Sequence, residues 1–521
     1  MKRKTCENSK INFEVKLPSF PDQTFNILDY GAVDGGLVMN TEAFARAIQA
    51  CAEAGGGKVV VPAGLWLTGP ITLKNNVNLH LEQGALVKFS PKFEDYPLIE
   101  TNWEGNKKVR CMSPINGKDL DNIAITGKGI FDGSGEAWRM VKRDKLTVGQ
   151  WKKLVASGGV VEDDRLWWPS QQAMNGAKLV ARLEQSGTAR IEDYAEAREF
   201  LRPVLVSLIH CKKVLLDGPV FRNSPGWNIH PLICEDVTIR NITAYNHWYA
   251  QNGDSLDLES CRNVMISDSI FDGGDDGICM KSGKNEEGRK RGIPTENVMI
   301  KDCLVYHGHG GFVIGSEMSG GVRNVHVSDC TFIGTDIGIR FKSTRGRGGV
   351  IEDIYINRVK MINIANEAIG FNLFYERKNK EVTEVPVTEE TPIFRNIHLK
   401  DVVCRGAKKA IVMLGLPEMP IHHITMENVS VSADEGLICS EVQDITLTQV
   451  DIYPKCGPVM KFNNSKNIEV NKAEYPEQAE VFLKVEGKKT AGIKLMGVDL
   501  SKARKELELG AEVPAGAVIR P

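Results

Sequence analysis

The 521-residue chain predicts an all-β fold, a parallel β-helix whose short coils stack into a solenoid. Three observations point there. One phrase recurs along most of the chain: a polar residue, then alternating β-branched or apolar residues, then Asp or Asn. The copies begin at Asn76, Asn122, Lys213, Asp236, Asn263, Asn297, Asn324, Asp353, Asn396, His423, Asp444 and Asn467. Alternation with a period of two is the mark of a strand. From Lys213 onward the steps are 23, 27, 34, 27, 29, 43, 27, 21 and 23 residues, most of them too short for a strand-helix-strand unit and suited to one solenoid coil. Finally, 50 glycines with only 7% aromatics suit a chain of many turns and few long helices. A β-sandwich also alternates, but it would not repeat one phrase a dozen times.

The elements follow in order. Residues 1–24 read as an N-terminal extension, and residues 25–521 as a single β-helix domain. A solenoid needs capped ends. Residues 40–54 predict a capping helix, with Asn40 or Thr41 as N-cap, Phe44, Ala47, Ile48 and Cys51 on one face, and Gly55–Gly57 as the stop. The repeat then starts at Asn76 and Asn122. Residues 138–203 break it with helix-prone runs (171–185 and 191–201) and with Leu166-Trp167-Trp168-Pro169, which reads as an ordered insertion beside a functional cleft. Coils resume at Lys213, and after about residue 485 the chain leaves the repeat and closes the other end.

The charge balance, 65 Lys+Arg against 67 Asp+Glu, argues against a general nucleic-acid or membrane-surface binder. No apolar run is long enough to span a membrane as a helix. The 12 cysteines lack CxxC pairs, which disfavours zinc; they read as buried free thiols. The N-terminus has a basic start without an apolar stretch, so the sequence reads as a secreted or periplasmic protein whose signal lies outside this numbering, with an intracellular site left open.

Polar motifs concentrate in the middle coils: Asn252-Gly253-Asp254-Ser255, Gly273-Gly274-Asp275-Asp276-Gly277, Gly308-His309-Gly310 and Arg340-Phe341-Lys342. Each alone is weak, since Asp between glycines usually marks a turn. Their phase strengthens them, because stacked coils lie about 4.8 Å apart and would gather Asp254, Asp275, Asp276, His309, Arg340 and Lys342 into one cluster. Crowded carboxylates cannot all ionise, so one retains a proton while another activates water, the acid and base of glycoside hydrolysis. Arg340 and Lys342 suit an anionic substrate.

These four motifs resemble the four signatures of the polygalacturonase family, glycoside hydrolase family 28. Residues 30–32 and 55–73 are similar to the opening of its bacterial and plant members, and the resemblance covers most of the chain from about residue 25. It implies a right-handed, pectin-lyase-like parallel β-helix and cofactor-free, metal-free hydrolysis of α-1,4-linked galacturonic acid in pectin, with inversion. By the same resemblance Asp275 is the general acid, and Asp254 and Asp276 hold and deprotonate the water. His309 tunes the acid, Arg340 and Lys342 bind galacturonate carboxylates, and Asn252 and Tyr375 contact substrate. Two positions depart from the pattern: Gly253 and Ser255 replace the usual Thr and Gly, and Phe341 replaces an aliphatic residue, a change expected to alter packing only. Inverting enzymes space their carboxyls about 6.5–9.5 Å apart, farther than neighbouring coils imply, so inversion rests on the resemblance.

A bare β-helix offers an open groove. The 138–203 insertion and residues 281–292 would wall one end into a pocket, predicting exo action, with Trp167, Trp168, Trp227 and His230 as lining; packing of the insertion explains the tryptophans equally well. Other readings stay open: a galacturonidase acting on rhamnogalacturonan or xylogalacturonan fragments, a calcium-dependent pectate lyase, or a non-catalytic carbohydrate-binding β-helix.

Overall fold

A computed structural model describes residues 13–376 and 383–519; the first half of the predicted N-terminal extension, residues 1–12, lies outside them. The described chain divides into two compact units, residues 14–278 and residues 279–519 with Phe13. Each is built from parallel strands, and the fold is an all-β parallel solenoid.

In the first unit, each coil contributes a strand to each of three parallel ladders. One ladder runs through Gly57–Val61, Val77–Leu81, Asp121–Gly127, Lys212–Asp217, Glu235–Arg240 and Arg262–Ser267. A second runs through Gly64–Thr68, Ala85–Phe89, Ile130–Asp132, Val220–Arg222, Thr243–Tyr245 and Ile270–Gly273. The third, which carries the site, runs through Ile71–Thr72, Ile115–Lys118, Val206–Ile209, Ile229–Leu232 and Leu256–Glu259. Like residues stack in register: Val214, Val237 and Val264 pair in turn, and Phe131 lies on Phe221 with ring centroids 5.4 Å apart.

The repeated phrase has a backbone cause. All twelve anchors, from Asn76 to Asn467, have left-handed backbone, with φ between 48° and 62°. Asn and Asp tolerate that conformation better than other non-glycine residues, and Lys213 and His423 are the exceptions. The anchors also bond to one another from coil to coil. Asn122 donates to Asn76 Oδ1 at 3.0 Å, Asn324 to Asn297 Oδ1 at 2.7 Å, and Asn467 to Asp444 Oδ1 at 2.9 Å. One residue choice thus turns the chain and locks the register of the next coil.

The predicted helix is Thr41–Glu53, and it buries Ala43, Phe44, Ala47, Ile48 and Cys51. Asn40 is its N-cap residue, as expected, but caps without its side chain. The Asn40 side chain makes no cap bond; it accepts from Val33 N–H at 2.7 Å and donates to the carbonyls of Val33, Val38 and Leu67, while Thr41 Oγ1 accepts from Gly69 N–H. The insertion folds into helices Val148–Ala156 and Gln171–Ser186, a 3₁₀ stretch Ile191–Phe200, and an antiparallel sheet of Val141–Lys142, Leu166–Trp168 and Val160–Glu162.

In the second unit, Thr295–Lys301, Val322–Ser328, Val350–Asn357, Ile393–Arg405, Ile421–Ala433, Val442–Pro454, Lys466–Asn471 and Ala491–Met496 form one ladder. Gly310–Ile314, Ile339–Lys342, Glu367–Asn372, Lys409–Leu414, Glu435–Ser440, Pro458–Asn463, Ala479–Glu486 and Ala503–Leu509 form another. The coils therefore continue beyond residue 485, against the sequence reading: 491–496 still alternates, burying Ile493 and Leu495, and 503–509 pairs with 479–485 although it is rich in charged residues. Within residues 281–292, Asn285–Arg291 form a short helix ended by left-handed Gly292. All eleven cysteines among the described residues are free, and all but Cys456 are buried.

Candidate active site

The third ladder of the first unit brings two acidic turns together. Asn252–Ser255 leads into strand Leu256–Glu259, and Gly273–Asp275 leads into strand Asp276–Lys281. Asn252 takes left-handed backbone at φ 53°. Gly274 has no room for a side chain: a Cβ there would lie 2.5 Å from the His247 carbonyl oxygen and 2.6 Å from that of Ala250. Backbone bonds fix one turn on the other, with Ser255 N–H donating to the Asp276 carbonyl at 2.9 Å and Gly274 N–H to that of Gly253 at 3.1 Å. Asp276 N–H also donates to Asp275 Oδ1 at 3.0 Å.

The outcome is a carboxylate trio. One oxygen from each of Asp254, Asp275 and Asp276 lies within 4.8 Å of the others. Asp254 and Asp276 are buried at 2% and 1% exposure, while Asp275 is half-buried. Like charges this close favour retention of a proton by the group, so it can both donate one and accept one. Among the described residues it is also the set of acidic, His and Cys side chains that converges closely enough to hold a metal ion.

Arg202, at the end of the insertion, braces this turn. Its buried guanidinium donates to Asn252 Oδ1 at 2.9 Å and to the carbonyls of Gln251 at 2.8 Å and Pro225 at 3.2 Å. Burial, with Arg110 and Arg139 nearby, pulls its pKa down to about 9 against the opposing pull of Glu104 and Asp254.

In the second unit, strand Ile339–Lys342 carries the two cations. Arg340 donates to the His309 carbonyl at 3.0 Å, and His309 Nε2 lies 3.7 Å from Asp336. Tyr375 packs its ring 5.8 Å from the Arg340 guanidinium and 5.2 Å from the Lys342 ammonium. Its N–H bonds the Ser343 carbonyl at 3.0 Å, which holds the ring over both. Lys342 is buried, and Glu317 is its acidic neighbour. Glu317 also pairs with buried Lys281 at 3.5 Å.

Residues 187–452 match the family model for glycosyl hydrolases family 28, just over half of the chain. The chain belongs to that family. It is a glycosidase.

Similar proteins include an exopolygalacturonase from Thermotoga maritima, 34% identical over 81% of this chain and 90% of that one, with a TM-score of 0.69. An exo-poly-alpha-D-galacturonosidase from Dickeya chrysanthemi is 28% identical over 86% of this chain and 74% of its own length. A probable polygalacturonase from Vitis vinifera is 27% identical over 83% and 81% respectively.

The structure also explains where this family 28 chain departs from the usual signatures. A side chain at residue 253 would meet Ala250 Cβ at 2.7 Å, so glycine stands where the family has threonine. Phe341 is fully buried and stacks on Phe371 at 4.5 Å, inside the coil rather than in the cleft. The expected pocket aromatics are interior. Trp227 stacks on Trp103 at 5.1 Å, and His230 pairs with buried Glu259 at 2.9 Å, both at 2% exposure. Trp167 and Trp168 are 8% and 6% exposed, and Trp167 packs with Val141 and Trp151 in the insertion's core. These four side chains are placed for packing rather than for lining a surface pocket. Arg289 donates to the Gly346 carbonyl and to Glu390, whereas Lys290 is exposed and pairs with Glu286.

Sequence reasoning missed Arg202 and Glu317. Arg202 sits beside a proline with no motif around it. Glu317 left only a faint signal, a lone carboxylate in the otherwise uncharged run 310–318.

Proposed function

We propose that this glycosidase hydrolyses α-1,4-linked galacturonic acid in pectin from the chain end, releasing galacturonic acid with inversion. The observation that carries the reading is the convergence of Asp254, Asp275 and Asp276 within 4.8 Å. Asp275, the most exposed of the three, protonates the departing glycosidic oxygen as general acid. Asp254 and Asp276 hold a water between them and take its proton as it attacks the anomeric carbon from the opposite face. His309 tunes the protonation of Asp275. Arg340 and Lys342 bind the substrate carboxylate beneath the Tyr375 ring, and Asn252, held by Arg202, contacts the sugar.

The oxygen separations fall below the usual inverting range. Inversion is supported instead by the number of carboxylates, because two acceptors for one water leave no need for a covalent nucleophile. Exo action is supported by the ordered insertion, whose last residues end at the catalytic turn through Arg202, and by the exo-acting enzymes among the relatives. A polymeric plant substrate places the enzyme's work outside the cytoplasm, secreted or periplasmic, which cell fractionation tests.

Proton NMR of the reaction with polygalacturonate tests the reading. Free galacturonate appearing first, in the β form, supports exo action with inversion. A spread of oligomers rejects exo action, the α form rejects inversion, and unsaturated-sugar signals make the protein a lyase. Absence of turnover on polygalacturonate with turnover of rhamnogalacturonan or xylogalacturonan fragments moves the substrate to branched pectin.

A further inference from the structure

Seven of the eight tryptophans are less than one-tenth exposed; Trp248 is 45% exposed. It lies in the loop 246–251, immediately ahead of the Asn252–Ser255 turn, and this loop is fixed from both sides. Toward the insertion, the Trp248 indole N–H donates to the Lys145 carbonyl at 3.0 Å, and Tyr249 packs against the core of Val141, Trp151 and Trp167. Tyr249 meets the Trp248 ring edge-on at 5.3 Å and stacks flat on His247 at 5.0 Å, while the Tyr245 hydroxyl bonds His247 Nδ1 at 3.0 Å. Toward the acidic turns, Gly253 N–H donates to the Ala250 carbonyl at 3.1 Å, and the carbonyls of His247 and Ala250 fill the space a Cβ on Gly274 would need, one residue before Asp275.

A large aromatic ring is therefore exposed to water on an anchored loop whose backbone packs against the acidic turns. The loop's apolar anchoring is already supplied by Tyr249, so packing does not explain the exposed indole. An indole face stacks on the C–H face of a pyranose while its polar edge is satisfied elsewhere. Here the polar edge is satisfied by Lys145.

We propose that Trp248 is the platform of a sugar-binding subsite that stacks a galacturonosyl ring of the substrate, outside the residues that cut the bond. The assignment rests on the hydrolase reading above. Through the Lys145 bond and the Tyr249 anchor, the insertion serves to hold this platform in place.

The test uses the full chain and two readouts. The first is acrylamide quenching of tryptophan fluorescence with and without trigalacturonate, in the parent and in Trp248→Phe. Trp248 should supply most of the quenchable emission, and trigalacturonate should shield it. The second is steady-state kinetics on trigalacturonate for Trp248→Ala and Trp248→Tyr. The alanine variant should raise KM about tenfold with kcat within about twofold, and tyrosine should restore most of the loss. If the parent turns over trigalacturonate while its quenching is unchanged by the sugar, or while Trp248→Ala keeps the parent KM, the subsite is wrong and the hydrolase reading stands. If the parent neither turns over nor is shielded by galacturonate oligomers, both fall. Quenching that falls with protein concentration in the absence of sugar marks an interface between copies and overturns the subsite.

Discussion

Replacing Glu317 by glutamine keeps the shape of the side chain and removes its charge. Burial by itself would raise this carboxyl's pKa, but Lys281, Lys342, Lys284 and a backbone N–H together outweigh that and hold it at about 2, against 4.5 for an ordinary glutamate. The side chain is 12% exposed and its partner Lys281 only 4%, so solvent screens the pair little. A depression of that size corresponds to about 3 kcal/mol of folding stability at neutral pH. The sign follows from the depressed pKa: the contribution is complete above about pH 4.5 and is lost as pH falls through about 2. By linkage it is about 1.4 kcal/mol at pH 3 and about 0.4 kcal/mol at pH 2. Urea unfolding followed by circular dichroism suits the measurement, since urea adds no ionic strength to screen the pair. Glu317→Gln should lower stability by about 3 kcal/mol at pH 7, and the gap should close between pH 4.5 and 2. Substituting Lys281→Met as well should recover part of the loss, because no buried ammonium is then left without its carboxylate. A gap that is the same at pH 7 and pH 3, or one below about 0.5 kcal/mol at pH 7, refutes the reasoning.

Four further outcomes follow from the geometry. Asp275→Asn should keep the circular dichroism spectrum and lose about 100-fold to 10,000-fold in kcat, the range for a general acid; unchanged turnover would remove Asp275 from the mechanism. Arg202→Ala, which releases Asn252 and the backbone of residues 225 and 251, should cost about 100-fold in kcat/KM by displacing the catalytic turn, whereas parent kinetics in a folded variant would show that the turn holds without it. Phe341→Ala empties a site between Phe312 and Phe371 and should cost about 3–5 kcal/mol in urea unfolding. Activity on polygalacturonate should survive EDTA; loss of activity restored by calcium would assign the carboxylate trio to metal binding and favour a lyase.

Much of the fold was legible because a solenoid repeats its local solution. Each coil turn needs a residue that accepts left-handed backbone, and Asn or Asp at ten of the twelve anchors advertises that need in plain sequence. The limits of the reading also have local causes. The final coils were missed because 491–496 is short and begins with Ala-Gly, and because Arg, Lys and Glu crowd 503–509. Asn40 stands at the N-cap as the sequence suggests, but its amide is used elsewhere, reaching Leu67, 27 residues away.

The same division holds at the site. Sequence by itself pointed to Asp254, Asp275 and Asp276 as a group, since their motifs fall one coil-length apart and coil stacking turns that interval into proximity. It also determined the glycines that let the acidic turns approach. Tertiary structure alone decided which aromatic rings face water. Trp167, Trp168 and Trp227 went to the interior and Trp248 to the surface, although nothing in their immediate sequence distinguishes them. It likewise recruited Arg202 and Glu317, whose partners lie 23 to 50 residues away along the chain. Burial and long-range pairing depend on which segments the solenoid stacks against one another, and that information is spread over the whole chain rather than written at any one residue.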